Sequence, residues 1–363
     1  MISYSIGTPV LSWRCRTFVV SAVALLFVLN LCAQETQEKI DVDDVTRTFV
    51  VHLPQGYDSQ QHYPVVIVLH GQNQDADDMG RLTHFSQFAE KNSAIAVYPN
   101  AMRQWNTGVR PEEAAQEMPR RGYGRRGGWG GGGGYPGGGG YPGGGQSGGH
   151  NPDENKKRPE PPDDVAFLNQ MLDQLAMKFS VDSSRIYAAG LGDGGFMAER
   201  VGCSMADRVA AIAVVAAAFP KAMICLPSRP VPALFIVGTD DPIVSYSGGN
   251  YKPGRFHVLS AEESAKTWAK FDRCEEKPAQ DKIPPLNKDK DSKETRTLTF
   301  NGCHDNAQVV LYAVKNGGHT WPGGEQYMSE KEVGKTSSAL NANQSIWSFL
   351  STKKLAVQSG AAK

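Results

Sequence analysis

Residues 187–195 read Tyr-Ala-Ala-Gly-Leu-Gly-Asp-Gly-Gly, after an apolar run over 185–189 and before a stretch of helix-forming side chains. A strand, a glycine-rich turn and a helix in this order are typical of a nucleophile elbow, Gly-x-Ser-x-Gly. Gly190 and Gly194 take the two glycine places, because the turn is too tight for side chains beside the nucleophile. The place between them, where serine is expected, is Gly192, so the turn is predicted without its reactive hydroxyl.

The charge balance and the first residues of the chain indicate its partners and its compartment. Lys+Arg and Asp+Glu both number 38 among 363 residues, so neither nucleic acid nor a membrane surface is an expected partner. Arg14 and Arg16 precede an apolar run over 18–33, the pattern of a signal peptide with small Ala33 at the cleavage site. An uncleaved anchor is the alternative, but the run is shorter than about 20 residues. We predict a signal peptide at 1–33 and a secreted or periplasmic location.

Four cysteines lie beyond this export segment: Cys203, Cys225, Cys274 and Cys303. An oxidising compartment favours two disulfides, for which four cysteines allow three pairings. Proximity in sequence favours Cys203 with Cys225 and Cys274 with Cys303, and four buried free thiols are the alternative. No pair has the Cys-x-x-Cys spacing of a zinc site, so we predict neither a metal nor another cofactor.

Apolar runs alternate with stretches of helical periodicity along the rest of the chain. Strands are predicted at 46–53, 63–69, 94–98, 185–189, 210–215, 233–237, 295–300 and 309–314, and helices at 75–92, 165–179, 260–271 and 341–350. Such alternation predicts the α/β class, with a mostly parallel sheet and helices on both faces. We predict one domain over 45–355, a linker at 34–44, a charged mobile loop at 277–294 and a flexible tail at 356–363.

A glycine-rich insertion interrupts this pattern. Between residues 122 and 149, 18 of 28 residues are glycine, and Pro, Lys and Glu follow as far as Pro162. Such a segment cannot bury enough apolar surface to offset the entropy of ordering it, so we predict disorder over 110–162. Arginines beside Tyr123 and Trp129 form a pattern that can bind single-stranded nucleic acid. For an exported chain, a surface tether or an arm that contacts polysaccharide is favoured over nucleic-acid binding, and an insertion without function is favoured over both.

Three positions that follow predicted strands suggest a catalytic site. In an open parallel sheet, functional groups gather at the carboxyl ends of the strands. Gly192, Asp241 and His319 follow strands in the chain order nucleophile, acid, histidine of α/β-hydrolases. In a serine triad the histidine accepts the hydroxyl proton and the acid fixes the histidine tautomer. Asp240 is the alternative acid, but the Gly-Thr-x-Asp-Pro spacing favours Asp241. His70 is predicted to be structural.

Several motifs in order resemble one family. They include Leu-His-Gly at 69–71, Trp-Asn at 105–106, the glycine turn at 190–195 and Gly-Gly-His-Thr-Trp-Pro-Gly at 317–323. From about residue 46 to about residue 350, the chain resembles the secreted esterases that include polyhydroxybutyrate depolymerases and feruloyl or acetyl-xylan esterases. The resemblance implies an α/β-hydrolase fold and an ester-bearing small molecule or polymer, such as a polysaccharide, as the ligand.

The resemblance also implies roles for individual residues. Asp241 becomes the acid and His319 the base, and backbone donors of an oxyanion hole fall near Gly71 and Gln72 and at Asp193. The two favoured cysteine pairs agree with the usual disulfides of the family. Trp105 and Trp321 are predicted to line a substrate cleft, where they would stack on an aromatic or sugar ring, with a core position as the alternative. Asp163 and Asp164 are predicted to cap the following helix.

The chain departs from the family at the nucleophile, where the family reads Gly-Leu-Ser-Asn-Gly-Gly and this chain has Gly192. Asp193 is a poor substitute, because it is one residue along the turn and its charge would oppose a developing oxyanion. Water activated by His319 would give only weak hydrolysis. We therefore predict an esterase-family protein with weak or lost activity. The alternatives are a catalytically silent protein that binds esters or glycans and an interaction protein that uses its glycine- and tyrosine-rich arm.

Overall fold

The structure is a computed structural model that describes residues 34–109, 162–251, 256–286 and 293–356. The predicted signal peptide, the glycine-rich insertion up to residue 161 and the tail beyond residue 356 lie outside the described residues. Within the described ranges, no helix is long and apolar enough to cross a membrane.

The described chain forms strands and helices in alternation. The strands are β1 (Gln34–Val42), β2 (Val45–Leu53), β3 (Tyr63–Leu69), β4 (Ile95–Pro99), β5 (Val181–Leu191), β6 (Ala211–Val215), β7 (Ala233–Gly238), β8 (Gly249–Tyr251), β9 (Phe256–Val258), β10 (Ala279–Ile283), β11 (Thr295–Phe300) and β12 (Val309–Val314). The helices are α1 (Ala76–Thr83), α2 (Phe85–Lys91), α3 (Asp164–Lys178), α4 (Asp193–Ser204), α5 (Ala261–Phe271), α6 (Glu330–Val333) and α7 (Ala342–Leu350).

Ten of these strands form one sheet in the order β1-β2-β4-β3-β5-β6-β7-β12-β11-β10. The six central strands from β4 to β12 are parallel, and the strands at both edges pair antiparallel. Side chains of β3 are buried on both faces: Val65 and Ile67 pack into one apolar cluster, Val66 and Val68 into another. The predicted α/β class with a mostly parallel, helix-covered sheet is confirmed.

The stretch predicted as a linker at 34–44 instead contains β1, so that prediction is wrong. β1 pairs antiparallel with β2 along its whole length. Asp43 and Asp44 connect the two strands, with φ angles of 50° and 62°. Positive φ at both central residues is the mark of a type I′ turn, which suits the twist of a two-residue hairpin. The strand has a polar sequence because it lies at the sheet edge, where backbone pairing rather than apolar burial holds it.

Two further predictions are wrong, one because of strand pairing at the sheet edge and the other because of a left-handed residue. The charged segment predicted as a mobile loop at 277–294 contains β10, which pairs antiparallel with β11 at the other sheet edge. The helix predicted at 75–92 is divided into α1 and α2, because His84 has a left-handed φ of 53°. A left-handed residue interrupts the helical path for a single position and redirects the chain.

Of the two residues predicted to cap α3, one caps the helix and the other does not. Asp163 accepts hydrogen bonds from the backbone N–H groups of Val165 and Ala166, as predicted. Asp164 does not cap the helix, because its buried carboxylate pairs with Arg47 at 2.6 Å. Elsewhere, the structure contains both of the favoured disulfides, Cys203–Cys225 and Cys274–Cys303.

Candidate active site

The turn from β5 into α4 has the geometry of a nucleophile elbow. Gly192 lies at its tip with φ 56° and ψ −115°. A Cβ on Gly190 would come within 2.1 Å of the carbonyl oxygen of Gly194, and one on Gly194 within 2.1 Å of the carbonyl oxygen of Leu69. The flanking glycines therefore allow the backbone of the turn to approach itself and β3 more closely than any side chain permits.

Asp241 lies directly beyond the end of β7, and both of its carboxylate oxygens are bonded. Oδ1 accepts hydrogen bonds from the backbone N–H groups of Ile243 and Val244, at 2.7 and 2.8 Å. Oδ2 accepts from His319 Nδ1 at 2.8 Å. Asp240, the alternative acid, is exposed and accepts instead from the hydroxyl of Thr239. The geometry thus joins the histidine to Asp241 and leaves Asp240 apart.

His319 is held by its backbone as well as by Asp241. Its N–H donates to the carbonyl of Val333 at 2.5 Å, and its carbonyl accepts from the hydroxyl of Tyr327 at 2.9 Å. The side chain is only 8% exposed, and its Nε2 lies 2.7 Å from the position that a Cβ on residue 192 would occupy. The fold therefore brings together Gly192, Asp241 and His319, although 127 residues separate the first from the last in the sequence.

The segments predicted to supply oxyanion donors lie beside the elbow. Gly71 is close to it, because a Cβ on Gly71 would lie 3.3 Å from the carbonyl oxygen of Leu191. The N–H of Gly71 already donates to Gln74 Oε1 at 2.9 Å. Asp193 begins α4, and its buried carboxylate accepts a hydrogen bond from the hydroxyl of Tyr251. The side chain of Asp193 is thus engaged with Tyr251, and the donor roles of Gly71, Gln72 and Asp193 stay predictions.

The two tryptophans predicted for the cleft are core residues. Trp321 is completely buried and its indole N–H donates to Asn343, so the prediction that it lines a cleft is wrong. Trp105 is 5% exposed, donates to the carbonyl of His70 and packs against the His70 ring. His70 is structural as predicted, because Nδ1 bonds the carbonyl of Gly71 and Nε2 accepts from the N–H of Ala101. Burial lowers the pKa of His70, which favours its neutral form.

Two site residues were not predicted from the sequence, Tyr251 and Tyr327. Tyr251 lies in the short β8–β9 hairpin, where its ring packs edge-on against Phe196 of α4. Tyr327 lies in an irregular segment, and burial followed by the charge of Asp241 raises the pKa of its hydroxyl. Neither tyrosine belongs to a motif, and each reaches its partner only through the fold. Within the described ranges, no group of three or more His, Cys, Asp or Glu could hold a metal ion.

Comparisons with known proteins find similarity to esterases. The family model described as "Putative esterase" matches residues 44–125. Feruloyl esterase B of Piromyces equi is 34% identical over 166 residues, which are 43% of this chain and 29% of that protein. "Putative esterase NocK" of Nocardia uniformis subsp. tsuyamanensis is 24% identical over 332 residues, 88% of this chain and 83% of that protein. The chain is therefore similar to esterases in sequence.

A solved structure extends the likeness to the fold. The crystal structure of a thermostable esterase aligns with a TM-score of 0.50 at 11% identity, over 88% of this chain and 63% of that one. Together with the sheet order, it shows an α/β-hydrolase fold. The chain spans less than a third of the length of the Piromyces protein.

Proposed function

We propose that this chain is an exported carboxylic ester hydrolase with weak or lost activity, in which Asp241 is the acid, His319 is the base and Gly192 stands at the nucleophile position. One observation carries the proposal: the hydrogen-bonded Asp241–His319 pair directs Nε2 to within 2.7 Å of a side-chain position on the elbow. A purely structural role for the histidine would not explain why its Nε2 lies against the tip of the elbow. The same pair with a serine hydroxyl at residue 192 would complete a triad.

In this proposal, water replaces the serine as nucleophile. His319 accepts a proton from the water as it attacks the ester carbonyl, and Asp241 stabilises the imidazolium that results. Backbone N–H groups at Gln72 and Asp193 stabilise the developing oxyanion, since Asp193 opens a helix whose first N–H groups point toward the turn. Gly71 contributes only after its N–H leaves Gln74. Hydrolases that lose a triad residue keep roughly 10³–10⁴-fold catalysis over water, which sets the scale to expect.

The proposed substrates are polyesters or the feruloyl and acetyl esters of polysaccharides. Support comes from the names of the relatives, which include Feruloyl esterase B and a bifunctional acetylxylan esterase/xylanase. The two disulfides and the apolar N-terminal pattern support an oxidising, extracytoplasmic location.

A second function is favoured by the position of the His319 ring. Nε2 lies closer to the Cβ position of residue 192 than real Cβ contacts allow, so the ring occupies space that a serine would need. A site relaxed in this way around glycine would suit a protein that binds esters or glycans without cleaving them. Binding without turnover is therefore the alternative function.

Restoring the hydroxyl tests the proposal. Wild type should hydrolyse activated aryl esters slowly and should not react with a serine-directed phosphonate. Gly192→Ser should gain activity and phosphonate labelling, and Gly192→Ser with His319→Ala should lose both. Gly192→Ala is the matched control, because it adds the same Cβ without a hydroxyl. Fast wild-type turnover that survives His319→Ala would place the chemistry elsewhere, and a folded Gly192→Ser without any gain would favour the binding protein.

A further inference from the structure

The His319 ring presents one nitrogen to the elbow with no side chain between it and the space above Gly192. In a serine triad the hydroxyl lies between the imidazole and the substrate carbonyl, so the imidazole can only pass protons. At Gly192 the nearest atom to an added Cβ is His319 Nε2, at 2.7 Å, followed by two carbon atoms of the same ring. A carbonyl carbon held over the elbow would therefore face the imidazole nitrogen directly.

The other contacts of His319 leave Nε2 as a nucleophilic atom. Nδ1 is engaged by Asp241, so in the neutral ring the proton is on Nδ1 and the lone pair is on Nε2. Nε2 has no hydrogen-bond partner among the described residues, and it is absent from the completely buried unpartnered atoms there. The hydrogen bond to Asp241 orients the ring, and the bonds that the His319 backbone makes with Val333 and Tyr327 hold the residue that carries it.

We propose that His319 Nε2 itself attacks activated esters and forms an acyl-histidine intermediate. The proposal rests on the proposed function of the same site, but it replaces base-assisted attack by water with covalent catalysis. Histidine is one of the side chains that can carry an acyl group. The ligand class is an acyl donor with a good leaving group, such as an aryl ester or a thioester.

The reaction balances with water as its only other reactant. The Nε2 lone pair forms a C–N bond to the carbonyl carbon, and the C–O bond breaks as the aryl oxide departs with its electron pair. The acyl-imidazolium keeps its Nδ1 proton, and the carboxylate of Asp241 lies 2.8 Å away to stabilise the positive charge. Water then attacks the acyl carbon and the C–N bond breaks. The products are a carboxylic acid, the neutral imidazole and one proton, which passes to solvent and balances the charge of the departed aryl oxide.

The leaving group determines which esters can react by this route. A tetrahedral intermediate on Nε2 expels its weaker base, and imidazole is a far weaker base than an alkoxide. Alkyl esters therefore return to starting material, whereas aryl oxides leave readily. Serine has no such restriction. In its tetrahedral intermediate, the serine alkoxide and the alkoxide of an alkyl ester are similarly strong bases, so either can be expelled. The mechanism thus predicts that wild type is confined to activated esters and that Gly192→Ser extends hydrolysis to alkyl esters.

The test uses 4-nitrophenyl dimethylcarbamate, because a carbamoyl group on an imidazole nitrogen hydrolyses far more slowly than an acyl group. Wild-type protein should release one equivalent of nitrophenolate, and peptide mapping by mass spectrometry should find the carbamoyl group on His319. In Gly192→Ser the label should move to the substituted residue, and His319→Ala in the wild-type background should lose it. Gly192→Ala, if folded by circular dichroism, should also lose the label, because its methyl group blocks the approach to Nε2.

Parallel hydrolysis of 4-nitrophenyl acetate separates the possible failures. His319-dependent hydrolysis with a solvent deuterium isotope effect near one supports covalent attack. The same hydrolysis with an isotope effect well above one and no label on His319 overturns the inference, because water is then the nucleophile, and leaves the proposed function standing. An absence of His319-dependent hydrolysis and of label overturns both.

Discussion

The backbone at Gly192, with φ 56° and ψ −115°, is sparsely populated by residues that carry a Cβ. Holding such a residue there costs about 1–3 kcal/mol, and glycine avoids most of this cost. The replacement of serine therefore removes both the reactive hydroxyl and the strain of the turn. Because the nearest neighbour of an added Cβ is the end of a side chain and not backbone, a small shift of the His319 ring can still accommodate a substitution.

Alanine substitutions at the elbow should destabilise the fold by different amounts at Gly192 and at Gly194. Gly192→Ala should lower the free energy of unfolding by about 1–3 kcal/mol, the cost of its backbone conformation. Gly194→Ala should lower it by more, because its Cβ would meet the backbone carbonyl of Leu69 at 2.1 Å, and β3 cannot move aside. Urea denaturation of both variants measures the two losses. Equal losses would contradict the distinction between a side chain that can shift at residue 192 and a backbone carbonyl that cannot shift at residue 194.

At the scale of the elements, the carboxylate of Asp272 joins the end of α5 to the residues before β7. Oδ1 accepts from the N–H of Val231 at 2.8 Å, while Oδ2 is buried without a partner among the described residues. Burial raises the pKa of Asp272 from 3.8 to about 7, against the hydrogen bond from Val231 and the charge of Arg229. Between these values the folded chain keeps a proton that the unfolded chain has lost.

Stability should therefore fall as pH rises from about 4 to about 7, by up to a few kcal/mol from this group. The protonated form stabilises the fold below this window, and the cost of the buried charge is complete above it. Asp272→Asn should reduce the difference in unfolding free energy between pH 5 and pH 8. Glu199, whose pKa burial also raises, contributes with the same sign, so Glu199→Gln is a second variant to compare. A wild-type chain that gains stability over this window would contradict the prediction.

Elements differed in how well the sequence predicted them, and burial explains the difference. β3 was predicted at its observed bounds, because a continuous apolar run records burial on both faces of the sheet. β1 and β10 were missed, because an edge strand is held by backbone bonds that any polar sequence can make. The division at His84 was missed because nothing in the side chains around it signals a left-handed residue.

The candidate site shows the same limit. Asp241 and His319 follow strands within recognisable motifs, so their meeting could be predicted from chain order alone. Tyr251 and Tyr327 hold Asp193 and the His319 backbone through contacts that depend on how loops pack. Trp321 stands in the most distinctive motif, but its side chain packs into the core, since a motif specifies a position in the chain and not the direction of a side chain.

At the scale of the whole molecule, the two ends of the glycine-rich insertion are joined by the domain itself. The side-chain amide of Asn106 donates to the carbonyl of Pro162 at 3.0 Å, and its backbone N–H donates to Asp164 at 2.6 Å. Asp164 in turn pairs with Arg47 on β2, with both side chains almost fully buried. Residues on both sides of the insertion thus hold its two ends together. The length of the insertion affects the free energy of unfolding only through the entropy of loop closure, which varies slowly with loop length.

Deletion of residues 122–149 should accordingly leave the fold intact and change Tm by no more than about 2 °C, because shortening a loop between fixed ends changes stability by only fractions of a kcal/mol. Asp164→Asn is the positive control. It leaves the Arg47 guanidinium buried without its carboxylate, which costs about 3–5 kcal/mol and should lower Tm by far more than the deletion. Calorimetry of the three proteins measures both effects. A fall of more than about 5 °C on deletion would mean that the glycine-rich segment packs on the domain, and that the ends of the insertion do not close the fold alone.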